Sequence, residues 1–255
     1  MHAPLAEVRR NEIENRLKRG LPVNATALAE EFLISEDAVW RDLRALAAEG
    51  NASGSGGAVP LSPEGGPLEH RLLNNVHEKR ALSLAALPLL SEASTVFLDS
   101  GSTNLALARE IPLDRPLTVI TNSISIAAAL LERKNLKVIV IGGEIDPDAE
   151  AAIGPSAIRE AERFNFDLCF LGACAASVSL GLSAFQLADA EFKRTLIERS
   201  ERIAALITVD KVETRAPFQV AALAALDHVV LEHNTPEQIL STFYEAGLDV
   251  ILAKP

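Results

Sequence analysis

Apolar residues in the first fifty positions recur at helical spacing. Val8, Ile13 and Leu17 predict a first helix, and residues 25–32 predict a second. After a short turn, Ser35 is a candidate N-cap for a third helix that ends near residue 50. Two helices joined by such a turn are typical of a helix-turn-helix, although a purely structural helix pair has the same spacing. The core stripe predicted for the third helix is Val39, Leu43 and Leu46.

Beyond residue 70, short β-rich apolar runs alternate with segments of helical periodicity. This alternation predicts an α/β fold with a mostly parallel sheet covered by helices. Ligands of such sheets bind where the strands end, at their carboxyl edge. The predicted strands are 95–98, 117–121, 137–141, 168–171, 203–209 and 228–231. The predicted helices include 105–110, 124–134, 156–164 and 187–200.

A segment dense in Gly, Ser and Pro, residues 50–67, separates the two patterns. Such a composition neither packs nor holds a helix, so it predicts a hinge. We therefore expect a small domain at residues 1–59, a linker at 60–69 and a larger domain at 70–234. Residues 235–255 form a tail, whose helix is expected to be capped at Thr235 and ended by Gly247.

Charge and cysteine content narrow the function classes. The net charge of −11 argues against coating nucleic acid or anionic lipid by bulk electrostatics, while a local DNA-reading surface stays open. Cys169 and Cys174 cannot build a disulfide framework or a four-ligand zinc site. With no signal peptide and no membrane-length apolar run, we expect a cytoplasmic protein without metal or cofactor.

Polar and glycine residues follow the predicted strands. After the first strand, the loop from Asp99 leads directly into a helix, which suits an anion such as phosphate, or is simply a capped turn. Because the strand ends share one crevice, we expect these loops to form a ligand site. The candidate residues are Asp99, Gly101, Ser102, Thr103 and Asn104 after the first strand, Thr121, Asn122 and Ser123 after the second, and Gly142 and Gly143 after the third.

Lysines stand near two later strand or helix ends. Lys193 lies near the start of a predicted helix, and Lys211 lies just past an apolar strand. A lysine is a compact cation that meets a phosphate directly, whereas the alternative is a solvated surface charge. Because both lysines lie close to a strand end or a helix start, we favour a role for each in binding the ligand.

Several segments together, in order and spacing, resemble the DeoR-type family of bacterial transcriptional regulators. They are LAEEFLISEDAVWRDLRALAAEG in the helical part, then NNVHEKRAL, FLDSGST, TVITNS, VIVIGGEID, IGPSA, DLCFLGA, GLS and EFKRTLIE. The resemblance implies a winged helix-turn-helix followed by a sensor domain similar in fold to sugar-phosphate isomerases. It also implies a phosphorylated sugar in the crevice, with Gly172 and Glu191 joining the candidate ligand-binding residues.

The same fold raises an alternative, an isomerase-type enzyme with a helical appendage. Such enzymes need a carboxylate base beside the sugar, and the loop at residues 172–176 offers none. Asp99 and Glu191 are the remaining candidate bases. Binding without turnover is therefore favoured, with no catalytic residue.

DNA contacts are expected on the third helix and before it. The candidates are Arg9, Arg10, Ser35, Glu36, Trp40, Arg41 and Arg44. Trp40 either packs in the module or touches a thymine methyl group. Ala38 and Trp40 replace the family's Thr and first Arg, so either the operator differs or DNA binding is weaker.

The predicted function is a DNA-binding transcriptional regulator, a repressor of carbohydrate-metabolism genes whose operator binding responds to a phosphorylated sugar. Its expected partners are double-stranded operator DNA, the effector and a second copy of the chain. The second copy is expected because one helix-turn-helix contacts only one half of an operator. The alternatives are a sugar-phosphate-binding enzyme and a sensor with weakened DNA binding.

Overall fold

The computed structural model describes residues 6–18, 25–48, 59–62, 66–114 and 116–255. The N-terminal helices are α1 (Ala6–Lys18), α2 (Ala25–Phe32) and α3 (Glu36–Ala48), close to the predicted bounds. Residues 49–58, which would form the wing of the expected winged helix-turn-helix, lie outside the described residues.

The three helices share a small apolar core. Ile13 of α1 is fully buried, and Val39, Leu43 and Leu46 of α3 are buried as predicted. Val8 is the exception, since 56% of its surface is exposed. The Ser35 Oγ accepts the Ala38 amide at 3.3 Å, which confirms Ser35 as the N-cap of α3.

The larger domain alternates strands and helices. Its elements are α4 (Leu68–Leu73), α5 (Val76–Ala86), β1 (Thr95–Leu98), α6 (Ser102–Glu110), β2 (Leu117–Thr121), α7 (Ile124–Leu130), β3 (Leu136–Val140), β4 (Ile145–Asp146), β5 (Ala151–Ala152) and α8 (Pro155–Ala161). They continue with β6 (Leu168–Leu171), β7 (Ala175–Ser177), β8 (Gly181–Ala184), α9 (Leu187–Glu198), β9 (Ile203–Ile207), β10 (Phe218–Ala221), β11 (His228–Leu231), α10 (Glu237–Glu245) and β12 (Asp249–Leu252). Short 3₁₀ helices lie at Leu87–Glu92, Val209–Lys211 and Leu223–Ala225.

The main sheet is parallel, as the alternation predicts. Among the residues that the structure describes, seven strands form it in the order β12-β11-β9-β6-β1-β2-β3, and every neighbouring pair is parallel. Smaller antiparallel pairings join β10, β8 and β7, and β4 with β5. The α/β fold class is confirmed.

Both faces of the sheet are covered, and the central strands β6 and β9 are accordingly apolar at every position. Successive residues of a strand point to opposite faces. Phe97 of β1 therefore lies in one core, together with Phe192 of α9 and Phe243 of α10. Its neighbour Leu98 lies in the other core, with α5, α6 and α7.

Some predicted boundaries are wrong. The strand expected at 203–209 ends at Ile207, since the chain turns into the 3₁₀ helix Val209–Lys211. The helix expected at 124–134 ends at Leu130. Thr235 does not cap α10, which starts at Glu237, because its hydroxyl donates to the Glu232 carbonyl at 2.8 Å. Gly247, at φ +81°, follows the end of α10 as predicted.

The described residues contain no helix that is long and apolar enough to cross a membrane.

Candidate functional site

A cavity of about 400 Å³ lies at the carboxyl edge of the main sheet. Its floor includes Leu171, at the end of β6, and Leu206, in β9. The start of α6, the start of α9 and the loops after β4 and β6 form its walls. This is the edge where the strand pattern places a ligand.

The start of α6 contributes the loop that the sequence singles out. Gly101, Ser102, Thr103 and Asn104 all line the cavity. The first amides of a helix have no carbonyl partner within it and carry partial positive charge, so they suit an anion. Gly101 has φ +145° and ψ 154°, a conformation that side chains rarely adopt. The turn into α6 therefore requires glycine here.

Asn104 also ties the loop to the sheet. Its side-chain amide donates to the carbonyls of Asp99, at 3.0 Å, and Phe170, at 2.9 Å. These bonds fix the ends of β1 and β6 relative to each other. The amide thus has a structural use in addition to its place on the cavity wall.

Asp99 is fully buried and does not line the cavity. Its carboxylate accepts the amides of Ser100 and Gly172, each at 2.8 Å, and lies 3.1 Å from the Nζ of Lys193. Burial raises the pKa of Asp99, and the charge of Lys193 opposes that shift. The expectation that Asp99 contacts the ligand, or acts as a base, does not agree with this geometry.

Lys193 lines the cavity but is only 3% exposed. It pairs with Asp99 and with Asp189, one helical turn earlier in α9. Burial acts to lower the pKa of Lys193, but the negative charges of Asp189 and Asp99 outweigh it and hold the pKa above the usual lysine value. The ammonium therefore stays charged and already has two carboxylate partners.

Lys211 lies in the 3₁₀ helix that follows β9. Its Nζ donates to the Ala173 carbonyl at 3.0 Å, and the side chain lines the cavity. Lys79 of α5 lies within its electrostatic reach, and burial, together with the charge of Lys211, lowers the pKa of Lys79 to about 8. The charges of Asp210 and Glu78 act in the opposite direction on Lys79.

The residues after β2 support the site from behind and do not line the cavity. The Asn122 Oδ1 accepts the Ser100 amide at 3.2 Å, and its Nδ2 donates to the Ala152 carbonyl at 3.1 Å. The Thr121 hydroxyl donates to the Leu98 carbonyl at 2.6 Å. Ser123 caps α7 through the Ile126 amide at 3.4 Å. The order of the strands explains why these residues do not line the cavity. The cavity lies at the end of β6, and β2 is one strand farther from β6 than β1 is.

Of the remaining candidate ligand-binding residues, some line the cavity and others do not. Gly172 lines the cavity, whereas Gly142, Gly143 and Glu191 are exposed residues outside its lining. A Cβ at position 172 would lie 2.7 Å from the Ser100 carbonyl oxygen, so only glycine permits this approach of the loops after β1 and β6.

Several cavity residues are missing from the sequence-based set. Arg71 of α4 lines the cavity, as do the carboxylates of Asp146, Asp148 and Asp189. Asp146 and Asp189 stand within the segments VIVIGGEID and DAEFKR, which could have raised them as candidates. Arg71 follows no strand, and nothing in the local sequence places it at this edge.

The candidate DNA-binding residues lie on α1, on α3 and at the N-cap of α3. Ser35, Glu36 and Arg41 are exposed, as a reading surface requires. Arg9 forms an ion pair with Asp42 of α3 at 2.8 Å, with 11% of its side chain exposed, so it joins α1 to α3. Arg10 is half-buried. The side chains of Trp40 and Arg44 lie outside the described part of the structure.

Comparison with known proteins agrees with this architecture. Residues 74–233 match the family model described as the DeoR C terminal sensor domain. The HTH-type transcriptional regulator GlpR of Haloferax volcanii is 31% identical over 228 residues, 88% of this chain and 89% of that protein. The glycerol-3-phosphate regulon repressor of Escherichia coli K12 is 24% identical over 96% of this chain and 98% of that one.

Among solved structures, ribose 5-phosphate isomerase A from Methanocaldococcus jannaschii aligns with 55% of this chain and 55% of its own at 14% identity, with a TM-score of 0.40. The family model covers more than half of the chain, and the Haloferax regulator exceeds 30% identity over most of it. The chain belongs to the DeoR family of transcriptional regulators.

Proposed function

We propose that this regulator represses carbohydrate-metabolism genes and that a phosphorylated sugar or polyol in the cavity modulates its binding to operator DNA. The observation that carries the proposal is the cavity itself, whose lining includes both the start of α6 and Lys211. The relative named as a glycerol-3-phosphate regulon repressor supports the same class of effector.

The phosphate group would lie on the first turn of α6, beside Gly101 and Ser102, with Lys211 as its cation. Lys193 has two carboxylate partners, so we assign it the task of fixing Asp189 at the cavity wall. Asp146 and Asp189 would accept hydrogen bonds from the hydroxyl groups of the sugar. The remaining lining residues of the proposed site are Thr103, Asn104 and Gly172.

Binding without turnover fits the environment of the candidate bases. Asp99 is buried and forms an ion pair with Lys193, and Glu191 lies outside the cavity. The relatives that match most of the chain are named as regulators. We therefore assign the cavity a sensing role.

The proposed DNA contacts are made mainly by α3 and its N-cap. Ser35, Glu36 and Arg41 would meet the operator, and Arg10 would approach its phosphates. Arg9 would act indirectly, by holding α1 against α3 through Asp42. Since one such module reads one half-site, the functional unit would be a homodimer or a larger assembly.

The test is a fluorescence-anisotropy titration of the full chain against the DNA upstream of its own gene, at low and moderate salt, with and without glycerol 3-phosphate or ribose 5-phosphate. We expect specific binding that one phosphate ester changes. Lys211→Met should weaken effector binding at least tenfold and leave DNA affinity unchanged without the ester.

Lys137→Met is the matched control, because Lys137 is exposed on the edge strand β3. Equal effector affinity in the Lys211 and Lys137 variants would remove Lys211 from the site. Absence of specific DNA binding at both salt concentrations would contradict the regulator proposal as a whole.

A further inference from the structure

Part of the segment expected to be a free hinge is bound to the sensor domain. The Arg215 amide donates to the Pro60 carbonyl at 2.9 Å, and the Ser62 amide donates to the Arg215 carbonyl at 2.8 Å. The Ser62 hydroxyl donates to the carbonyl of Cys174, a cavity residue, at 2.8 Å. Ser62 is 4% exposed. The backbone of this polar segment thus finds partners on the larger domain, which local composition does not reveal.

We call the described residues 59–62 and 66–75 the strap. Its second part is anchored as firmly as its first. Leu68 is buried, and its amide donates to the Asp148 carbonyl at 2.8 Å. The Lys79 ammonium donates to the carbonyls of Arg71 and Asn74 at the end of α4. The strap is therefore fixed to the sensor domain along its length.

The strap also forms part of the cavity wall, through Gly66 and Arg71. The Arg71 Nε donates to the Gly66 carbonyl at 3.1 Å, and its Nη2 donates to the Asp148 carbonyl at 3.3 Å. Both acceptors are neutral, and both distances are long for a charged donor. A guanidinium has five donors in a planar fork, and a phosphate is a better partner for it than two carbonyls.

We propose that Arg71 is an effector ligand supplied by the strap, and that the strap thereby senses whether the cavity is occupied. This inference rests on the proposed function, because it takes the effector to be anionic. The fork of Arg71 would bind the phosphate from the strap side while the first turn of α6 binds it from the sheet side.

The position of the strap in the chain gives this contact a regulatory consequence. Residue 59 follows the last residue of α3, Ala48, by eleven positions. An effector that binds more tightly when Arg71 is turned toward it favours one arrangement of the strap over others. The regulatory effect would then equal the difference in effector affinity between those arrangements.

The first measurement is calorimetric titration of the full chain with glycerol 3-phosphate and ribose 5-phosphate. We expect Arg71→Met to weaken the binding of the ester that wild type binds by at least tenfold. Arg71→Lys keeps the positive charge but not the planar fork of donors, so its affinity for the ester should lie between those of wild type and Arg71→Met. Arg80→Met is the control, since Arg80 is an exposed arginine of α5 that pairs with Glu110 at 2.9 Å. Thermal unfolding of each variant verifies that it is folded.

The second measurement is hydrogen exchange of the same proteins with and without the bound ester. In wild type, the ester should slow exchange of the Ser62, Leu68 and Arg215 amides, because it adds an anchor to the strap. In Arg71→Met, saturating ester should leave these amides unchanged.

The outcomes separate the two proposals. If wild type binds neither ester, the proposed effector class is wrong and this inference falls with it. If wild type binds an ester and Arg71→Met binds it equally well, the effector class stands and Arg71 is not a ligand. If Arg71→Met loses affinity but the ester leaves strap exchange unchanged in wild type, sensing by the strap is overturned.

Discussion

At the scale of single residues, the most consequential group is a lysine that supports the site from within. Lys193 is held between Asp99, which joins the loops after β1 and β6, and Asp189, which lines the cavity. Its charge compensates two carboxylates in a place with little access to water. Removing one partner of a buried ion pair leaves the other charge uncompensated, and this is costly.

We expect Lys193→Met to lower the free energy of unfolding by about 3–5 kcal/mol, since two carboxylates lose their cation. Because the pKa of Lys193 in the folded protein lies above the ordinary 10.5, its contribution is complete at neutral pH and is lost only as the pH rises past that value. The difference between wild type and variant should therefore stay constant from pH 7 to 9 and shrink above 10.5.

Urea unfolding at a series of pH values makes this measurement, with Lys137→Met as the control for loss of an exposed lysine. A loss below about 1 kcal/mol in Lys193→Met would mean that the buried charges do not depend on this cation.

At the scale of elements, the site depends on how closely the loops after β1 and β6 approach each other. The Gly172 amide donates to Asp99 at 2.8 Å. A Cβ at residue 172 would lie 2.7 Å from the Ser100 oxygen and 2.9 Å from the Asp99 Oδ2, so a methyl group here must push the two loops apart.

Gly172→Ala should therefore destabilise the protein by about 1–3 kcal/mol and weaken effector binding, because the start of α6 moves with the loop after β1. Gly142→Ala is the matched control, since a Cβ there meets nothing within 4 Å. Chemical denaturation and calorimetric titration of both variants test this. Equal stability and affinity in the two would contradict the close-approach argument.

At the scale of the whole molecule, the apolar cores of the helical module and of the sensor domain are separate. In the described residues, Ile13, Leu28, Phe32, Val39 and Leu43 belong to a cluster that includes no residue of the sheet. A domain with its own core unfolds as its own cooperative unit.

Scanning calorimetry should therefore show two transitions. At a free concentration of 100 times Kd, the phosphate ester that binds should stabilise the sensor domain by about 2.7 kcal/mol and raise only its transition. A single transition that moves as a whole would mean that the two cores unfold together.

The sequence contains enough information for six of the seven strands that form the main sheet in the described residues. β1, β2, β6 and β11 have the predicted bounds, because strands covered on both faces are continuous apolar runs between polar loops. β12 and the short strands β4, β5, β7, β8 and β10 were not predicted. The segments of β4, β5, β7, β8 and β10 include small or polar residues, so periodicity does not mark them. β12 is largely apolar but lies in the segment expected to be a tail, and only its pairing with β11 shows that it belongs to the main sheet.

The sequence alone determined the family, the helix-turn-helix core and the strand ends where the cavity lies. The family follows from the resemblance of segments such as FLDSGST and VIVIGGEID. The helix-turn-helix core and the strand ends follow from local periodicity and from the rule that parallel strands end at one edge. Tertiary structure decided which polar residues face the cavity. Asp99 meets Gly172 across 73 positions, Arg71 meets Asp148 across 77, and Ser62 meets Cys174 across 112. Such contacts exist only after the chain has packed, because no local pattern brings residues so distant in sequence together.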